Sequence, residues 1–241
     1  STNSMRNSFV GLVKKIGLAY LGKQLLDFGK SCVQLGSDLQ EVQGVVNVVF
    51  TTMTDKVDKF AKSAAASFGL SETMAKKYIG LYGAMAESFG FTEEQAYNMS
   101  TALTGLAGDV ASFYNITQDE AYTKLKSVFS GETETLKDIG IVMTQAALDQ
   151  YALANGYNRT TSEMTEQEKV ALRYRFVMDQ LTNAQGDFAR TTDNWANQVR
   201  ILKLQFDSLK ATIGQGLILA LTPAIKALNW LIAKLQVAAK A

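Results

Sequence analysis

Residues 18–49 read LAYLGKQLLDFGKSCVQLGSDLQEVQGVVNVV. Leu18, Leu21, Leu25, Phe28, Cys32, Leu35, Leu39, Val42, Val46 and Val49 fall at alternating steps of three and four. A strand would place apolar residues every second position, so this spacing predicts a helix. The period is 3.5 rather than 3.6, which gives the narrow seam of a helix that coils around another helix. Gly22, Gly29 and Gly36 sit seven apart beside the seam. Each weakens the helix by about 1 kcal/mol relative to Ala. In return each lets a second backbone come close. The partner is either a helix of the same domain or a helix of another copy.

A second seam begins at the far end of the chain. Residues 186–206, GDFARTTDNWANQVRILKLQF, open as a polar junction and turn into an apolar repeat. Trp195, Val199, Leu202, Phe206, Leu209 and Ile213 follow one another at steps of four and three. Thr192 or Asp193 is placed to cap the helix they define. Residues 187–194 are therefore expected to form a hinge, with Asp187, Arg190 and Asp193 supplying caps and side-chain-to-backbone bonds. Trp195 then anchors the new helix against the bundle or against a partner. Beyond Ile213, IGQGLILALTPAIKALNWLIA carries one charge, Lys226, over a length that spans a bilayer. It reads either as a buried or oligomeric helix or as a segment that enters a membrane. The N-terminal stretch FVGLVKKIGLAYLGKQLLDF is too charged for either a secretory signal or a span, with Lys14, Lys15, Lys23 and Asp27.

Between the seams, shorter helices are expected. Thr92 with Gln95, Thr117 with Glu120 and Thr165 with Glu168 have the spacing of capping boxes. Ser71 is a further N-cap, and Gly90 and Gly156 are helix stops. Many aromatics among Ala and Gly suit a compact helical core. The only strand candidate is IVMT at 141–144, paired with NRTT at 158–161 in a two-stranded ribbon. The fold class expected is thus all-α: a long helix over residues 1–50, a compact multi-helix domain over 51–186, and a hinge followed by a long helix over 187–241. A single proline, Pro223, in 241 residues agrees with this.

Chemistry is sparse. The chain has no histidine and one cysteine, Cys32. This removes the usual triads, most zinc sites and any internal disulfide, and it suits a reducing compartment. SGETE at 130–134 lacks a phosphate-loop pattern, and GQG at 214–216 has no strand before it. The adjacent carboxylates Glu93–Glu94 and Asp119–Glu120 fall in first helical turns, where they complement the helix dipole. The net charge is +1, with an acidic middle between basic ends, and gives no general pull toward nucleic acid. No catalytic, cofactor-binding or metal-binding residue is assigned, and no enzyme activity is expected. The residues expected to matter are the two seams, as helix and oligomer contacts.

Four stretches, LGSDLQEVQGVVNVVF (35–50), AYNMSTALTGLAGDVASFYNIT (96–117), SGETETLKDIGIVMT (130–144) and GDFARTTDNWANQVRILKLQFDSLKATIGQGL (186–217), together resemble the tail tape measure proteins of long-tailed phages and prophages of Gram-positive bacteria. The likeness covers roughly residues 35–235. It implies a structural virion component that sets tail tube length from within the tube lumen and leaves ahead of DNA during genome ejection. The partners it implies are copies of the chain itself, tail tube and tail tip proteins, assembly chaperones in the host cytoplasm, and the host membrane on ejection. Fully helical, 241 residues reach only about 360 Å at about 1.5 Å per residue. The chain is therefore expected to be a fragment of a longer ruler. The alternative is a membrane-active, pore-forming helical protein that uses the apolar C-terminal helix.

Overall fold

The structure, a computed structural model, describes the backbone of residues 2–238 and the side chains of Tyr20 and residues 22–236. The chain is all-α, as its periodicities predict. Among the described residues there are helices and turns but no strand. It divides into two compact units, one formed by Glu41–Phe206 and the other by Ser1–Gln40 with Asp207–Ala241. Two long helices, α1 (Thr2–Val49) and α11 (Trp195–Ala238), each contribute to both units.

The larger unit is a bundle built from α2 (Thr54–Phe68), α3 (Glu72–Ser88), α4 (Glu93–Phe113), α5 (Gln118–Leu125), α8 (Gln145–Ala154) and α9 (Glu166–Gln180), with α6 (Ser127–Ser130), α7 (Glu134–Lys137) and α10 (Asp187–Arg190) as shorter pieces. The starts follow side-chain chemistry. Thr92 and Thr165 form complete capping boxes with Gln95 and Glu168, and Ser71 accepts the Met74 N–H. Thr117 caps α5 through the Glu120 N–H, but the reciprocal arm expected from Glu120 is absent. Its carboxylate instead faces Lys124 at 3.5 Å. Gly90 and Gly156 lie at φ 85 and 82, just past the ends of α3 and α8.

The two-stranded ribbon expected at 141–144 and 158–161 does not form. Ile141 and Met143 point into the core and Val142 points out, a strand-like alternation with no partner strand. Thr144 ends it by capping α8 through the Ala147 N–H. Across from it, Thr161 enters a 3-10 turn, and both its N–H and its hydroxyl donate to Asp149. A backbone bonded in this way has no ladder to offer.

The bundle core is aromatic and close-packed. Tyr122 stacks on Tyr78 with centroids 4.5 Å apart and lies 4.9 Å from Tyr82. The Tyr82 hydroxyl donates to the Tyr122 carbonyl, and the Tyr78 hydroxyl donates to Asp119. Burial, and then the charge of Asp119, push the Tyr78 phenol far above its ordinary range, so it stays a donor. Helix α4 runs through the centre, and its small residues admit its neighbours. A Cβ on Gly108 would stand 2.3 Å from the Phe68 carbonyl oxygen. Only glycine lets the end of α2 lie that close. Lys76, buried between α2 and α3, is neutralised by Asp58 at 3.1 Å and Glu72 at 2.7 Å.

Candidate interaction surface

The first seam changes character along α1. The side chains of Leu18 and Leu21 lie outside the described residues. Leu25 and Phe28 are exposed, Leu35 and Val42 are half-buried, and Cys32, Leu39, Val46 and Val49 are buried. Within the smaller unit, Cys32 and Gly36 receive α11. A Cβ on Gly214 would lie 1.7 Å from the Cys32 carbonyl oxygen, and one on Gly36 would lie 2.7 Å from the backbone of Gly214 and Gln215. The crossing is therefore backbone against backbone, which no other residue pair would allow. Gly29, one heptad earlier, meets nothing within 4 Å. It lines an open groove of about 470 Å³ together with Leu25, Leu26, Val33, Leu217 and Leu221.

The second seam is placed differently. Trp195 is 84% exposed and Leu202 66%, and Val199, Phe206, Leu209 and Ile213 are exposed as well. Of the two anchors expected for Trp195, the bundle or a partner, the bundle is corrected: its ring stands in solvent. The residues of α11 that turn inward are Asn197, Ile201, Leu204 and Ala211, on the opposite side of the helix. They escaped notice in the sequence because an asparagine and an alanine interrupt the apolar row. Past Gly214 the helix is mostly apolar, interrupted by Gln215, Thr222, Lys226, Asn229 and Lys234, and Leu219, Leu221, Ile225, Leu228, Trp230 and Leu231 are all exposed. The helix from Trp195 to Gln236 is long and apolar enough, by length and composition, to cross a membrane.

The expected hinge at 187–194 is a structured junction. Residues 187–190 form α10 rather than an open linker. The Asp109 carboxylate of α4 accepts the N–H of Gly186 at 2.8 Å and of Phe188 at 3.2 Å. Phe188 is fully buried, with its ring edge against Gly69. Burial pushes the Asp109 carboxyl above the ordinary carboxylate range, against the pull of those two donors. Arg190 closes the turn by donating to the carbonyls of Gln185 and Asn183, and it pairs with Asp187 at 3.5 Å. Asp193 is exposed, and α11 starts at Trp195, with the Asn194 carbonyl accepting the Gln198 N–H. The cap position is thus Asn194 rather than Thr192 or Asp193. Asn197 ties the new helix back by donating to the carbonyl and hydroxyl of Thr191.

A groove of about 370 Å³ beside Phe60, Phe68, Gly105 and Met178 has Asp109 at its wall, but both carboxylate oxygens are engaged as described. Glu93 serves structure: it accepts the N–H groups of Thr52 and Met53 and the Thr52 hydroxyl, pinning the turn between α1 and α2 to the start of α4. Among the described residues, no three His, Cys, Asp or Glu side chains are grouped to hold a metal ion.

The fold and its surfaces define a helical protein with a compact bundle and two long helices, one of which shows an apolar face along its length. Comparison with protein-family models, curated proteins and solved structures finds no match.

Proposed function

We propose that this chain is a structural, self-associating protein, part of a tail tape measure that sets tube length in a phage tail and leaves ahead of DNA. The observation that carries the reading is α11. It is a 44-residue helix with an exposed apolar heptad stripe, about 66 Å long at about 1.5 Å per residue. A long helix with an exposed apolar seam suits a part that is completed by other chains. The four stretches resembling tape measure proteins supply the particular role. In this reading the partners are copies of the chain, the tube wall and tip, and assembly chaperones. The site of action is the tail lumen, after assembly in the host cytoplasm. The test is electron microscopy of tails from the encoding phage after in-frame deletions or duplications in the parent gene. Tube length is expected to change in step with the residues removed or added. Tails of unchanged length would overturn the reading.

A second reading is favoured by one observation. From Leu217 to Leu235, α11 is largely exposed and mostly apolar, with Lys226 and Lys234 its only charges, a surface that suits lipid as well as protein. As a membrane-active helix, the chain would release dye from liposomes. Loss of release in a Leu228→Lys, Ile232→Lys double variant would support this, and intact vesicles with the unaltered chain would exclude it.

A further inference from the structure

We infer that Arg173 of α9 is a binding site for a carboxylate supplied from outside the fold, either a free carboxylic acid or an acidic group of a peptide. The site lies wholly within the larger unit and does not depend on the function proposed above.

Three cations of the described residues are buried, and they are treated differently. Lys76 has Asp58 and Glu72 beside it, at 3.1 and 2.7 Å. Lys124 has Asp138 at 2.7 Å and Glu120 at 3.5 Å. Arg173 is 8% exposed and forms no ion pair with a described residue. Glu166, whose charge is felt at Arg173, is bound to Lys169 at 2.7 Å. Glu168 is held by Arg159 and by the cap of its own helix. A charge taken this far out of water is costly unless it is paired.

The guanidinium is also held in place. Its Nε donates to the Lys169 carbonyl at 3.2 Å, one turn back on α9. The loop after α6 passes over it at Gly131, which lies at φ 76. A Cβ there would stand 2.2 Å from Nη1, so the guanidinium fills the place of the missing side chain. The terminal nitrogens carry the remaining N–H donors. They donate to no described residue, and neither is sealed from solvent. A fixed fork of unused donors with a narrow opening matches the two oxygens of a carboxylate. A phosphate dianion fits less well. Only one positive charge is left uncompensated, and Glu132 and Glu134 stand exposed just beyond Gly131.

Nuclear magnetic resonance of the full chain tests this, reading the Arg173 Nε–H and the Gly131 amide. Acetate, added at constant ionic strength against chloride, is expected to shift both signals to saturation. A capped glutamate peptide that gives the same end point more tightly makes the natural source a peptide; a weaker one makes it a small acid. Inorganic phosphate should bind less well than acetate. Arg173→Lys keeps the charge without the fork and should weaken the Gly131 response about tenfold or more. Arg173→Met should melt no lower than the unaltered chain in carboxylate-free buffer, and only the unaltered chain should gain stability from acetate. No saturable shift with acetate, or tighter binding of phosphate, would overturn the inference. So would a large loss of stability in Arg173→Met, which would make the guanidinium a part of the fold. If Glu132→Gln alone moves the Arg173 signal and acetate does not, the occupant is the chain's own carboxylate and the inference falls.

Discussion

Gly36 of α1 and Gly214 of α11 meet so closely that a Cβ on either would strike the other helix's backbone. Cys32 is buried at the same crossing and is the only cysteine of the chain. Its thiol therefore reports whether the two helices are together.

Gly214→Val should force them apart, because the added carbons meet backbone rather than a side chain that can swing away. In the unaltered chain Cys32 should react with a maleimide or with dithionitrobenzoate only after denaturation. In the variant it should react under native conditions, at least tenfold faster, with the bundle still folded. Gly216→Val is the control, since nothing lies within 4 Å of that position. Equal protection in both variants would mean that the crossing is not the contact described.

The junction before α11 should depend on Asp109. Asp109→Ala leaves the N–H groups of Gly186 and Phe188 without their acceptor, at a cost of about 1–3 kcal/mol each if both stay buried. Hydrogen exchange should accelerate over residues 183–194 and stay slow in α3. Asp109→Asn keeps one acceptor oxygen and should fall between the two. Exchange that rises uniformly through the bundle would show that Asp109 acts on the core as a whole.

Much of the fold was legible because it is written in local chemistry. Helix starts at Ser71, Thr92, Thr117 and Thr165 need only a hydroxyl and the right spacing, and all four hydroxyls accept the N–H three residues on, although Glu120 does not complete the box expected at Thr117. The two seams were legible as periods. Which way each seam faces was not, since period fixes a stripe on a helix but not the side on which the rest of the chain lies. Thus the α1 stripe turns inward from Cys32 onward, while the α11 stripe turns outward. The ribbon failed because alternation in IVMT marks burial alone, and a strand also needs a partner with free backbone groups. Asp109 and Glu93 were missed because their partners lie 77 and 41 residues away. No pattern within one helix reveals such pairings.

Glu93 gives the stability a defined pH dependence. The Thr52 N–H holds its carboxylate below the ordinary range; burial opposes it, and the Thr52 hydroxyl, the Met53 N–H and the Thr51 hydroxyl add to the lowering. A lowered folded value means that the stabilisation is complete above the ordinary glutamate value of about 4.3 and is lost as pH falls through the folded value beneath it. Glu93→Gln should therefore melt below the unaltered chain at pH 7, and the gap should close as pH drops below about 4. A gap that stays constant down to pH 3 would show that the carboxylate charge is not what pins the turn.

The central claim is that the outward stripe of α11 exists to be covered by other copies, and sedimentation of the full chain tests it most directly. Leu202 and Leu209 are exposed, so Leu202→Asp with Leu209→Asp should leave the single-chain fold and its circular dichroism intact. The unaltered chain is expected to sediment as a concentration-dependent oligomer, and the double variant as a single chain. A single chain at every concentration for the unaltered protein, or oligomers undiminished in the variant, would contradict the account.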